Sequence, residues 1–312
     1  MANGGQALTD RLTERVTILV PANLQPMVVL EKLDVEQILV DRMARLKALW
    51  AEYDPPAAAQ YDVEELEFDP IKINQEACAY FELLLRDRIN QAARSVTLAY
   101  AIGTDLDAIA SRYPGGVPRQ EGENDDRYRR RIWLSPNTLS PHGTAEAYEF
   151  WALTAAPELR DVTAIRSVLH DYYPTILITC LMNTNYDDPK PSQQTLLTIR
   201  SYIQSLSRQG VTDVISVNPP KVKEVEYRVA VWLFPGTIPD QALLRISLNL
   251  SELVTSQYWL GHDHTHTAIH AACKLPGVHH IDIESPEDDV IIPLDWVVKV
   301  TNITARLAGR ML

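Results

Sequence analysis

Four histidines crowd one short stretch, Gly261-His262-Asp263-His264-Thr265-His266-Thr267-Ala268-Ile269-His270. If that stretch is helical, His266 and His270 share a face at the spacing of two zinc ligands, and Asp263 would supply a third. A metal-dependent hydrolase built on residues 262–270 is the reading this allows. Against it, no Glu follows His266 and no second acidic ligand is spaced on the same helix. A polar helix start capped by Asp263 or Thr265 accounts for the same residues. His279 and His280 are adjacent, so in a strand they point to opposite faces. Ser140 and His142 have the types of a nucleophile and a base, but they sit two apart in a proline-containing loop with no third partner. Asp125-Asp126, Asp187-Asp188 and Asp288-Asp289 lack the spacing of a calcium loop and read as solvated pairs. Arg127, Arg129, Arg130 and Arg131 would cover more than half of a helix circumference, which is no single phosphate-reading face. Glu121, Glu123, Asp125 and Asp126 precede them, and acid before base suits the helix dipole. The run therefore reads as structural, with a salt-bridge seam to another subunit left open. There is no Gly-Lys pair, G-x-G-x-x-G, G-x-S-x-G or H-E-x-x-H, so neither a nucleotide fold nor a familiar hydrolase has support. Catalytic, cofactor-binding and metal residues are accordingly assigned as none.

The elements carrying these residues change character along the chain. Residues 1–30 are weakly patterned, with a short strand expected at Val16–Val20. Asp34 and Gln37 resemble a capping box opening a helix through Trp50, and Asp54-Pro55-Pro56 stops it. A linker over 51–70 leads to a long helix from about Asn74 to Ala101. Ala77, Phe81, Leu84, Leu85, Ile89, Ala92, Val96 and Ala99 form its apolar stripe. Gly103 is expected to end it. Shorter helices follow at 104–112, 125–134 and 144–155. After Pro157 the period falls from 3.6 to 2. A β-β-α-β unit is expected over 158–219, with strands near 162–166, 175–182 and 214–217 and a helix at 192–208. Pro219-Pro220 opens a second unit over 220–312, similar in size and order to the first, without a residue-level repeat. The predicted class is α+β: an N-terminal helical region followed by two small α+β lobes in series. The expected divisions are 1–60, an arm with a partner-binding helix; 61–157, helical; and the two lobes.

The chain has 312 residues, 46% apolar and 22% charged. That composition argues against disorder, and the length suffices to bury a core without a metal or disulfide staple. With 41 acidic and 29 basic residues the formal charge is −12, a poor match for duplex DNA or anionic lipid. A DNA-contacting adaptor is thereby the weakest of the functional readings. Cys78, Cys180 and Cys273 are odd in number and far apart, so they read as core residues in a reducing compartment. No run of 18 apolar residues exists, and the first residues are too acidic and too briefly apolar for a signal peptide. Work or assembly in a cytoplasm is expected.

One long motif resembles a known family. Leu83-Leu84-Leu85-Arg86-Asp87-Arg88-Ile89-Asn90-Gln91-Ala92-Ala93-Arg94 is similar to the baseplate J-like proteins, wedge components of contractile phage tails. The likeness continues through Leu98 to Ala110, Arg119, Gly122-Glu123-Asn124-Asp125-Asp126 and Tyr128 to Ile132. It takes in Ser140, Gly143-Thr144, Tyr148, Pro276-Gly277-Val278 and Ser285-Pro286, and covers about residues 66–303. The histidine cluster departs from the family pattern. The resemblance implies a structural, non-enzymatic role with no cofactor, in a virion tail baseplate assembled in the host cytoplasm. It implies that copies of the chain link neighbouring wedges into a ring around the tail tube and transmit the contraction trigger. The partners it implies are sister copies, a tail protein I-like wedge protein and a small lysozyme-like wedge protein, with no membrane and no nucleic acid.

Overall fold

A computed structural model describes residues 27–61, 68–140, 143–170, 173–183, 188–205, 208–210 and 213–310. The strand expected at Val16–Val20, and His142 and Asp187 of the weighed pairs, lie outside them. The described residues up to Ile109 form one compact unit, and those from Ala110 onward form a second.

In the first unit, Asp34 caps α1 (Val35–Tyr53), its carboxylate accepting from the Glu36 and Gln37 amides. Asp54 ends α1 and at once caps α2 (Pro55–Gln60) by accepting from the Ala57 amide. Proline costs nothing in a first turn, where its missing N–H would be unpaired anyway. Asp54-Pro55-Pro56 thus restarts a helix inside the expected linker. The same device opens α3 (Pro70–Ser95): Asp69 accepts from Lys72 and Pro70 sits in the first turn. This helix begins four residues before the expected start and stops six before the expected end. The Thr97 amide bonds to the Arg94 carbonyl and the Ala101 amide to the Thr97 carbonyl. That turn keeps Val96 and Ala99 at near-helical spacing while breaking the helix. Gly103, at φ +53°, opens α4 (Gly103–Ala110) rather than closing α3. α1 lies along α3, with Ile38, Met43 and Ala79 buried. Arg42 reaches across to Glu82 at 2.9 Å and Gln75 at 3.1 Å.

The second unit opens with α5 (Asp125–Leu134), a 3₁₀ turn (Ser135–Leu139) and α6 (Ala145–Ala155). Asn124 and Thr144 cap the two helices. Its first sheet has order β1-β2-β3, from β1 (Leu159–His170), β2 (Tyr173–Met182) and β3 (Val214–Asn218). β1 and β2 pair antiparallel; β2 and β3 pair parallel, joined by the crossover helix α7 (Gln193–Gln204). Tyr148, Trp151, Val162, Ile178, Ile199 and Ile203 share its core.

The second sheet comprises β4 (Lys221–Leu233), β5 (Val278–Ser285) and β6 (Trp296–Arg310), in order β5-β4-β6. β4 pairs antiparallel with β5 and parallel with β6. α8 (Pro239–Ser256) and α9 (His266–Cys273) run between β4 and β5. Tyr227, Val229, Val231 and Leu233 of β4 pack with Ile246, Leu250 and Ile269. On the opposite face Glu284 and Arg306 pair across β4, and Ala230 is buried. The expected likeness in order between the lobes does not hold. In the first sheet a helix joins the central strand to its parallel neighbour; in the second it leads to the antiparallel one. Strand periodicity reveals neither partner nor direction, so this difference has no local signal.

The two sheets are joined by Leu181, Tyr258, Leu260 and Val297, which form one buried cluster. Thr163 donates to the Leu294 carbonyl at 3.0 Å. Arg160 donates to the Thr255 carbonyl at 2.9 Å and lies over the Trp259 ring at 4.7 Å. The chain is α+β, helices first and then two small helix-covered sheets. Cys180 and Cys273 are buried free thiols, and Cys78 is half-buried. Burial raises the Cys180 pKa and pushes Cys273 to about 12, so both stay protonated and unreactive.

Candidate functional site

The basic run of α5 is turned inward and neutralised within the chain. Glu123 stands between two guanidiniums, bonding Arg131 at 2.6 Å and also Arg127. Its backbone-directed partner is the Gln120 amide at 3.0 Å. Arg127 further donates to the carbonyls of Leu159 at 2.8 Å and Ala156 at 3.0 Å and to Gln120 Oε1 at 2.8 Å. Arg130 pairs with Asp161 and lies 3.6 Å from Glu149. Glu149 accepts from the Ala164 amide at 3.1 Å, and Asp161 from Leu260 at 3.0 Å. Burial works against the Arg130 charge, yet Asp161 and Glu149 outweigh it and hold its pKa above the ordinary value. For Arg127, burial prevails and lowers it. Arg129 meets Asp126 at 2.7 Å. The network ties α5, α6, β1 and the segment after α8 together. A charged seam to another subunit is not needed to balance it.

The histidines do not converge. His264 is 1% exposed, hydrogen-bonded through Nδ1 to the Tyr227 hydroxyl. Its backbone exchanges two bonds with Val290. His262 Nδ1 lies 3.0 Å from the Asp263 carbonyl, and His266 Nε2 lies 2.9 Å from the Pro286 carbonyl. His270 points to solvent. Asp263 accepts from the Ile292 amide at 2.9 Å. Thr265, one of the two expected caps, begins α9. Burial depresses both His262 and His264, the latter to about 4. Among the described residues no three His, Cys, Asp or Glu side chains gather as ligands. The set a hydrolase would need does not form from residues 262–270. His279 and His280 are exposed, against Phe234 and Trp232 respectively.

The long motif on α3 does mechanical work. Asn90 is buried and pairs with both backbone groups of Glu31: the Glu31 amide donates to its Oδ1 at 3.1 Å, and its Nδ2 donates to the Glu31 carbonyl at 2.9 Å. Arg86 holds the Glu31 side chain at 2.9 Å and Glu82 at 2.7 Å. These residues fasten the strap before α1 onto α3. Gly143, Thr144 and Tyr148 form a second such device. Gly143 has φ +60°, and a Cβ there would lie 2.7 Å from the Tyr148 hydroxyl. That hydroxyl donates to Asp213 at 2.7 Å and accepts from the Gly210 amide at 3.1 Å.

Among the described residues nothing covers the opposite side of α3 in this way. Phe81 is 64% exposed, Leu85 66% and Ile89 61%, with Ile73, Tyr80 and Leu84 exposed beside them. The helix turns Ala79 and Asn90 inward beside its paired charges and offers its apolar residues to solvent.

Matching with known proteins picks out this same region. The model of the baseplate J-like N-terminal domain matches residues 67–124. Baseplate protein J of Escherichia phage P2 is 29% identical over 277 residues, covering 85% of this chain and 89% of that protein. Residues 67–124 are similar to a baseplate J-like N-terminal domain. The matched stretch starts at the N-terminus of α3 and closes on Asn124, the cap of α5. The matched residues include Arg86, Asn90 and Glu123, and also the exposed stripe. A chain in the cryo-EM structure of the anti-feeding prophage baseplate, 6-fold symmetrised, is 12% identical with a TM-score of 0.41. That match covers 55% of this chain and 40% of that one, too weak a likeness to support any conclusion. No helix among the described residues is long and apolar enough to cross a membrane.

Proposed function

We propose that this baseplate J-like chain is a structural, non-enzymatic component of a contractile tail baseplate, and that α3 is its principal joint to other chains. The observation that carries this reading is the exposed apolar stripe from Ile73 to Ile89. Burying a large apolar side chain contributes about 1.5–3 kcal/mol, so six of them left in water are a strong drive to association. The similarity to phage P2 baseplate protein J supports the setting. In that setting copies of the chain join neighbouring wedges into a ring around the tail tube. A tail protein I-like chain and a small lysozyme-like wedge protein are its neighbours, and the assembly forms in the host cytoplasm and resides in the virion. The lobes over 158–219 and 220–312 meet equivalent lobes of sister copies. Triggering is then a rigid-body rearrangement across those contacts.

The test is a Phe81→Asp, Leu85→Asp chain, co-expressed with its tail neighbours and followed by sedimentation. Both side chains already face solvent, so the helical circular dichroism stays unchanged. The wild-type chain enters multi-chain complexes and the variant does not. Equal assembly of the two would remove α3 as the joint.

A further inference from the structure

We propose that the segment 260–266 is an acid-released clasp, opened when His264 takes up a proton. The proposal is independent of the α3 joint. The segment is laced to residues 286–296 by the Gly261 amide on the Trp296 carbonyl at 2.8 Å, the paired Val290 bonds at 3.0 and 2.9 Å, and the His266 amide on Asp289 at 2.7 Å. At its start the Leu260 amide is held by Asp161 of the first sheet. The clasp therefore closes the second lobe and reaches the junction between the sheets.

His264 sits at its centre, and among the described residues no countercharge faces it. The groups facing the ring are the Tyr227 hydroxyl from β4, the His262 ring 6.2 Å away, the backbone of Gln257 after α8, and the backbone of Val290 opposite. The carboxylates of the adjoining segments are engaged elsewhere: Asp263 with the Ile292 amide, Asp289 with the His266 amide, and Asp161 with Leu260 and Arg130. In the neutral ring Nδ1 accepts from Tyr227. A proton there buries a cation in an enclosed site, and a proton on His262 adds a like charge. Buried unpaired charge is strongly disfavoured, so opening the segment to water becomes the cheaper state.

The direction follows from linkage. The closed form holds His264 at about 4, against about 6.5 when the ring is free. Stability is complete above the free value and is lost as pH falls through 6.5 towards 4. By pH 5 the open population should rise about 30-fold over that at pH 7.5. Hydrogen exchange on the full-length chain, corrected for the intrinsic pH dependence, reads this at the amides of Gly261, His264, Val290 and Ile292. Those amides lose protection by about that factor, while the α7 amides of Ile199 and Ile203 do not. His264→Gln, which cannot be protonated in this range, abolishes the difference. Unchanged protection at pH 5, or an equal rise in His264→Gln, overturns the proposal. Should the variant not fold, NMR titration of the wild-type imidazole decides: titration near 4 supports the clasp, and titration near 6.5 overturns it.

Discussion

Glu123 is the residue on which the buried charges depend. It faces Arg127 and Arg131 with no exposure of its side chain. Glu123→Ala leaves two guanidiniums short of a partner in the interior, and removing one side of a buried pair costs about 3–5 kcal/mol. Urea denaturation should show that loss; a cost below about 1 kcal/mol would mean that the carbonyls of Leu153 and Ala156, which accept from Arg127, and of Pro118, which accepts from Arg131, suffice. Gly143→Ala forces a side chain into the left-handed region and against Tyr148, a strain of about 1–3 kcal/mol, which the same measurement reads. The arginine run was legible as structural, because its members span the helix rather than one face. Its partners were not: Glu149 and Asp161 are distant in sequence and arrive only because α6 and β1 fold against α5. The histidines show the reverse case. Their spacing suggests ligands, but His264 is bonded to Tyr227, His266 to the Pro286 carbonyl, and His270 faces solvent.

For the elements, α3 carries the account. Its periodicity was readable, and the capping role of Asp69-Pro70 could have been read from the preference for proline in a first turn. The side it buries could not be read. Two stripes run along this helix, one apolar and one of Ala79, Glu82, Arg86 and Asn90, and an ordinary rule places the apolar one inside. The polar stripe faces inward instead, with Ala79 and Asn90 buried, because it bonds to Arg42 and to the backbone of Glu31. Asn90→Ala leaves both Glu31 backbone groups without that partner, at a cost of about 1–3 kcal/mol. Proteolysis should then cut the strap over 27–34 faster, whereas an unchanged cutting rate would show that Arg86 alone holds it.

In the whole molecule, the sheets of the second unit act as one body. Tyr258, Leu260, Leu181 and Val297 join their cores, and Asp161 bonds to both sides of that junction. Probes placed in the two sheets should unfold together in denaturant. Tyr258→Ala, which removes a fully buried ring, should cost about 3–5 kcal/mol and separate the two transitions. Helices followed by two small lobes were evident from the change of period after Pro157. The different strand connections were not, since pairing direction leaves no mark on local alternation.

On the proposed function, the outer face of α3 is covered in the assembled baseplate. Hydroxyl-radical footprinting of intact baseplates against the isolated chain tests it most directly. Tyr80, Phe81, Leu84 and Leu85 should label strongly in the isolated chain and lose that labelling on assembly. Equal labelling of these four residues in both states would contradict it.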